Sequence, residues 1–417
     1  MPSAKWKTIG PAIIPAILPV CLLLLVGLGL LAYATQLRHG LGVTGLGRET
    51  PWGLYISQFT FLVGIGASAV TVLLPYYVHR QKVFGRALIL AEVVALIALG
   101  QALLCILVDL GRPGRLLNIL LYPQPSSLMF WDCLTLVTYL ALSVVGLAAI
   151  LFARGRAPAA WLRGLALATI PWAIGIHVVT ALLYAGLAAR PAWMSAVLAP
   201  RFLATAFASG PAVLVLLARR LARRGIFDVG SEATSRLLVI MTYAAVASVV
   251  LALLEAFTAL YSGIPAAGEH LAYLFVGLDG HGGLVAFSYG SWALLLFAVV
   301  VLLVPRLRRR PWLTSLAAAA VVLSVLVDKG LCLVTSGFVP SPLGYVRDYW
   351  PSLPELAIVG GVYATGGLAF LGACRFVLAD HAKALALQPA PATPPVFDPS
   401  PATARQPGLA KAAQMEI

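Results

Sequence analysis

The sequence predicts an all-α integral membrane protein of about ten transmembrane helices, arranged as two four-helix bundles with two peripheral helices. Three observations carry that expectation. The 417 residues are 61% hydrophobic and 11% charged, more apolar surface than a water-soluble domain of this size can hide. The apolar residues gather in runs of roughly 20, the length that crosses a hydrocarbon core about 30 Å thick. Lysine and arginine alternate between loops, as the positive-inside rule requires of a chain that threads the bilayer repeatedly.

The spans follow in order. Residues 11–33 sit behind Lys5 and Lys7 like a signal peptide, but the run is long for one and nine more follow, so it reads as a retained anchor. Span two, 53–78, opens at Trp52 and Tyr55; span three, 87–109, ends on Asp109. Asp132 lies near the start of span four, 128–153, and His177 lies inside span five, 165–187. Span six, 202–218, is short and rich in small residues, and span seven, 237–261, carries Glu255. Span eight, 284–304, has no charge; span nine, 313–335, holds the adjacent pair Asp328 and Lys329; span ten, 355–378, begins at Glu355. The 38 glycines and 28 prolines do not argue against helices, because membrane helices tolerate both.

Two stretches hint at duplication: "FTFLVGIGASAV" from Phe59 and "RFLATAFASGPAVL" from Arg201. Spans two to five (53–187) and six to nine (202–335) would then be related bundles within a membrane domain of residues 1–380. From 381 to 417 the chain is rich in proline and alanine, the composition of a disordered cytoplasmic tail. Of the 29 Lys and Arg, 21 fall in the termini (Arg375, at the inner end of span ten, counted with the C-terminus) and the loops after spans two, four, six and eight; seven fall in the opposite loops, and Lys329 is inside a span. Both termini are therefore expected in the cytoplasm, in a multi-pass protein of the cytoplasmic membrane. Topology and anionic lipid account for the net charge of +14, with no need for nucleic acid.

Seven of the eight ionisable residues counted inside spans lie toward the face with few positive loops: Asp109, Asp132, His177, Glu255, Asp328, Lys329 and Glu355. A charge at the bilayer centre costs roughly 2.5–3.5 kcal/mol on insertion scales, so such residues need partners or work to do. One-sided placement points to a pocket opening on that face. A quinone needs such a pocket: an apolar slot, donors for two carbonyls, and a group that titrates near neutrality. His177 and Asp132 are the candidate catalytic pair, with Trp52, Tyr55, Asp109 and Arg112 as further contacts. A loop ion pair of Asp109 with Arg112 or Arg115 is the structural alternative for those residues. Glu255, His281, Asp328 and Lys329 form a second tier, in which Glu255 and Lys329 are expected to pair. Glu92, the lone carboxylate in the other half, is expected to snorkel or to pair with Arg86 rather than to open a proton path. Thr60, Ser68, Thr71, Thr135 and Thr138 are hydroxyls that serve either water chains or packing.

Resident metals find little support. Cys21, Cys105, Cys133, Cys332 and Cys374 are scattered without a C-x-x-C pair, so neither zinc nor an iron–sulfur cluster is expected in this chain. Only His177 lies well inside a span, while His39, His79, His270, His281 and His381 sit at edges or in loops, which makes a bis-histidine haem unexpected. Electrons would have to come from a partner or a diffusible carrier.

The run "PWGLYISQFTFLVGIGASAVTVLLPYYVH" from Pro51 resembles the second helix of the NrfD/PsrC-type membrane subunits (polysulfide reductase membrane subunits). Within that family the likeness runs to the DsrP type, found in electron-transfer complexes of sulfur metabolism. It extends through "VDLGRPGRLLNILLYPQPSSLMFWD" from Val108, "IPWAIGIHVVTALLYAGL" from Ile170, "APRFLATAFASGPA" from Ala199, "LEAFTALYSGIP" from Leu254 and "VDKGLCLVTSGFVPSPLG" from Val327. The resemblance implies a quinone-interacting subunit without its own redox cofactor, using menaquinone or ubiquinone. It implies a periplasmic ferredoxin-like iron–sulfur partner, a multihaem cytochrome, a haem b membrane subunit and a cytoplasmic iron–sulfur subunit. Two other classes fit a ten-span chain: a secondary transporter, whose binding groups would sit at the midplane, and a structural membrane anchor without quinone chemistry.

Overall fold

A computed structural model of the protein describes residues 17–66, 68–153 and 160–379. Among the described residues, ten helices are long and apolar enough to cross a membrane. They are α1 (Ile17–His39), α2 (Leu54–Val78), α3 (Lys82–Asp109), α4 (Leu128–Phe152), α5 (Trp161–Ala185), α6 (Leu198–Arg223), α7 (Ser231–Tyr261), α8 (Val285–Leu303), α9 (Pro311–Ser336) and α10 (Leu353–Leu378). A shorter helix, Pro265–Phe275, lies between α7 and α8. The described residues contain no strand, only an isolated bridge between Leu278 and His281. The all-α membrane fold is therefore the one the composition predicts. The tail expected over 381–417 lies outside the described residues. One boundary matters for chemistry: α6 starts at Leu198, not 202, which brings Arg201 into the helix.

Successive helices pack as neighbours, α2 on α3, α3 on α4, α4 on α5, then α6 on α7, α7 on α8 and α8 on α9. Helix α5 returns to α2, α9 returns to α6, and α2 lies against both α6 and α9. Helix α1 packs on α10, and α10 lies along α3. Helix α2 is thus central, and every residue from Leu54 to Gly66 except Ile56 is buried. Apolar and small residues all round suit such a position. By contrast α1 turns Leu23, Leu24, Leu30 and Leu31 outward, where lipid would meet them.

The two small-residue stretches have a physical role: they let α2 and α6 approach closely. A Cβ on Gly210 would stand 3.1 Å from the Ser68 Cα, and one on Gly64 would stand 3.9 Å from the Ser209 hydroxyl. Between α1 and α10, Gly29 and Gly361 do the same, each Cβ position falling about 3 Å from the other residue's Cα.

Three helices depart from regular α geometry, of which α10 does so only at its end, in a π turn over Cys374–Leu378. Helix α2 runs regularly from Leu54 to Gly66, resumes over Val70–Leu73 and ends in a π turn, Leu74–Val78. The Gly66 carbonyl at the interruption accepts a hydrogen bond from the Tyr139 hydroxyl at 2.8 Å. Helix α9 widens into a π turn over Asp328–Cys332. Insertions of this kind redirect side chains and backbone carbonyls and are frequent at functional sites. Here the widened turn directs the Gly330 carbonyl to the Gln58 amide, 2.8 Å away.

Candidate functional site

The site is built outward from α5. Residues 177, 180 and 184 follow i, i+3, i+7 spacing, so His177, Thr180 and Tyr184 share one face of the helix, and all three are buried. The His177 Nδ1 lies 2.8 Å from the Ala173 carbonyl one turn back. A carbonyl only accepts, so Nδ1 carries the proton, and the neutral ring then presents Nε2 as an acceptor. That Nε2 is buried and has no hydrogen-bond partner among the described residues.

One turn on, the Thr180 hydroxyl donates to the Asp132 Oδ1 at 2.5 Å, joining α5 to α4. Asp132 is buried, not interfacial as its position after "FW" allows. The Tyr184 hydroxyl pairs with Thr60 of α2 at 2.6 Å. Above it stands an aromatic wall: Trp52 meets Tyr184 edge-on at 5.5 Å and stacks on Trp193 at 5.9 Å, and Phe338 closes the group. The Trp193 indole donates to the Leu333 carbonyl at 2.9 Å, which ties the α5–α6 loop to α9. Lys329 of the α9 π turn lies within electrostatic range of His177. Its ammonium donates to the Phe202 carbonyl at 3.2 Å and rests over the Phe202 ring at 3.8 Å.

Tyr55 and Asp109 point elsewhere, and the six leading candidates therefore do not form one cluster. The Tyr55 hydroxyl donates to Gln36 of α1 at 2.6 Å, and the Gln36 amide donates to the Val108 carbonyl at 2.6 Å. Asp109 is within electrostatic range of Tyr55, Glu355 and Tyr184. Its Oδ1 is buried without a partner. It makes no ion pair with Arg112 or Arg115, and Arg112 is exposed in the loop after α3. The loop ion pair considered for Asp109 is thus not formed.

Glu355 proves to be a structural knot. Its Oε2 accepts from the Gly45 and Ser352 N–H groups at 2.6 and 2.8 Å, and its Oε1 accepts from the Tyr349 hydroxyl at 2.5 Å. Ser352 completes a capping box at the start of α10. Tyr349 also accepts from the Leu54 N–H at 2.8 Å. Burial and the neighbouring carboxylate push the Tyr349 phenol up, so it remains a donor.

The second tier rearranges around Arg201. Its guanidinium donates to Glu255 at 2.5 Å and to both oxygens of Asp328 at 2.8 and 2.9 Å. The expected Glu255–Lys329 pair is not formed, because Arg201 reaches Glu255 first and Lys329 turns to Phe202. A recess of about 360 Å³ adjoins the network, lined by Arg201, Asp328 and the hydroxyls of Thr205, Ser248, Ser291 and Ser324. His281 is outside this group: it is 40% exposed and faces Asp348 at 3.2 Å. Glu92 neither snorkels nor pairs with Arg86; it is 2% exposed, with Oε2 unpartnered. No group of three or more His, Cys, Asp or Glu among the described residues could hold a metal ion.

Sequence reasoning missed Arg201, Thr180, Tyr184, Trp193 and Gln36. The spacing of His177, Thr180 and Tyr184 was available as a signal, and Arg201 stands inside one of the resembling stretches.

The family model for the polysulphide reductase NrfD matches residues 42–339. A Halobacterium salinarum protein, provisionally named a dimethyl sulfoxide reductase membrane subunit, is 29% identical over 409 residues, covering 86% of this chain and 89% of its own. A selenate reductase subunit of Mesobacillus selenatarsenatis is 27% identical over 45% of this chain and 53% of its own. The Hdr-like menaquinol oxidoreductase integral membrane subunit of Archaeoglobus fulgidus is 26% identical over 44% of this chain and 45% of its own. The chain thus spans about half the length of the last two.

Proposed function

The chain belongs to the polysulphide reductase NrfD family, and from that premise we propose that it is the quinone/quinol-interacting membrane subunit of an oxidoreductase complex. One observation carries the reading: a buried histidine whose Nδ1 is committed to Ala173 and whose Nε2 is free to take a proton or a hydrogen bond. The names of the relatives support it, since each is a subunit of a redox enzyme, two are called membrane subunits, and one belongs to a menaquinol oxidoreductase. The finer reading is the DsrP type: a sulfur-metabolism complex that exchanges electrons with a periplasmic iron–sulfur subunit, both termini of this chain being cytoplasmic.

The residues fit a quinone ring. Such a ring supplies two-electron, two-proton chemistry when bound. Trp52, Trp193 and Tyr184 provide an aromatic wall and exclude water. His177 holds or accepts a proton at Nε2, and Thr180 keeps the Asp132 carboxyl facing α5. In this reading Lys329 adds positive potential beside His177, while Tyr55 and Glu355 brace the start of α2 from the other side. A photoreactive azidoquinone tests the placement on the full chain in bilayers. Labelling around His177, on α2, α4, α5 or the α5–α6 loop, suppressed by excess unmodified quinol, supports the site. Labelling confined to α7 and α8, or none that quinol suppresses, refutes it.

A further inference from the structure

The first group of helices holds a second polar site that the quinone reading does not use. Glu92 lies ten residues inside α3 from Lys82, about 15 Å along the helix. It is 2% exposed, and its Oε2 meets no donor. Ser143 of α4 lies close to it, is 1% exposed, and likewise has a hydroxyl without a partner. Nearly all buried polar groups in folded proteins are satisfied, so two neighbouring groups with unpartnered atoms imply something beside them. There is room for it: a recess of about 270 Å³ bounded by Leu73, Tyr77, Glu92, Gly146, Ile150 and Thr169. The recess as a whole has space for about one water molecule, and Tyr77, Glu92 and Thr169 in its walls offer the polar contacts a buried water needs.

Position gives the recess a direction. Its residues come from the halves of α2, α3, α4 and α5 that end at the basic loops after α2 and α4. Toward the centre stands Tyr139, one turn from Ser143, with its hydroxyl on the Gly66 carbonyl where α2 is interrupted. Thr169 of the recess is eight residues before His177 on α5, about 12 Å along the helix. The ionisable groups facing Glu92 are Tyr77 from α2 and Tyr139 from α4; the recess residues from α5, Leu162, Leu165, Ala166 and Thr169, are not ionisable. Among the described residues no ion pair reaches the Glu92 carboxyl.

We propose that this recess is a water-holding proton-exchange site. A proton from water at the basic face adds to a Glu92 carboxylate oxygen, giving the acid; the reverse step returns it to water, and no electron moves. Its place as an inner partner to His177 rests on the quinone reading, but the exchange itself does not.

The test is infrared difference spectroscopy of the full chain in bilayers, with no quinone present. The expected result is a carboxylic C=O band that shifts on transfer from H2O to D2O, is lost in Glu92→Gln and moves in frequency in Glu92→Asp and Ser143→Ala. A Glu92 band that stays unshifted in D2O marks a sealed packing residue and overturns the proposal. Absence of any Glu92-dependent band across the accessible pH range overturns it too. Azidoquinone labelling of Glu92→Gln is expected to equal wild type, so failure here is distinguishable from failure of the quinone site.

Discussion

Around α6, α7 and α9, Arg201 holds Glu255 through one nitrogen and Asp328 through another, and Lys329 is spent on the Phe202 carbonyl and ring. Around α3, α4 and α5, by contrast, Glu92, Asp109, Ser143 and His177 each keep a buried atom with no partner. The one comparable atom in α6, the Ser209 hydroxyl, faces α2 across Gly64. One region closes its polar groups on one another and the other leaves them open. Closed networks hold helices in register, and removing one member strands the rest. Open groups cost stability without return unless something binds them. The contrast suits a structural role for the Arg201 network and, in the proposed reading, chemistry at the α5 face.

The comparison is broken most forcefully at His177. Replacement by alanine is expected to cut quinol-dependent electron transfer in the assembled complex by roughly 10²-fold or more, the scale of a lost acid–base group. In the closed region, Arg201→Leu leaves two carboxylates facing each other and costs about 3 kcal/mol of stability, measured as a fall in thermal midpoint. The triple change of Arg201, Glu255 and Asp328 to leucine is expected to recover most of that loss. Thr180→Val removes the donor on Asp132, with an expected cost in turnover of about tenfold, or about 1.4 kcal/mol. Trp193→Phe keeps the ring but loses the bond to Leu333, for about 1 kcal/mol of stability.

The smallest effect concerns His270, outside the spans. Burial lowers its pKa from 6.5, against the pull of the Ser336 carbonyl. The unfolded chain therefore takes up a proton near pH 6.5 that the folded chain refuses. Stability is full above that pH and declines as pH falls through it. In His270→Gln the thermal midpoint is expected to fall less on acidification; an unchanged slope would exclude this histidine as the cause.

The fold was legible because burial in lipid forces long apolar runs, and those runs set the ten helices. The site was legible only where a charge inside a run announced itself. His177, Asp132 and Lys329 stood out for that reason. Arg201 did not, because a hydropathy run stops at an arginine, and the helix continues past it to Leu198 once two carboxylates satisfy the charge. Glu355 stood out for the wrong reason: Ser352 followed by Glu355 at the third position is a capping signal, and the structure uses it as one. Tyr55 and Trp52 seemed equivalent at the mouth of α2, yet only helix rotation decides that one meets Gln36 and the other Tyr184. Thr180, Tyr184 and Trp193 carry no charge, so their roles emerge only from packing.

The most direct test crosses the two regions in one experiment: His177→Ala and Arg201→Leu, each assayed in the purified complex for quinol-dependent reduction of the iron–sulfur partner and for thermal midpoint. The account predicts that His177→Ala loses turnover with its midpoint near wild type, while Arg201→Leu loses midpoint and keeps its turnover at permissive temperature. Turnover retained in His177→Ala and abolished in folded Arg201→Leu would contradict it and move the chemistry to the Arg201 network.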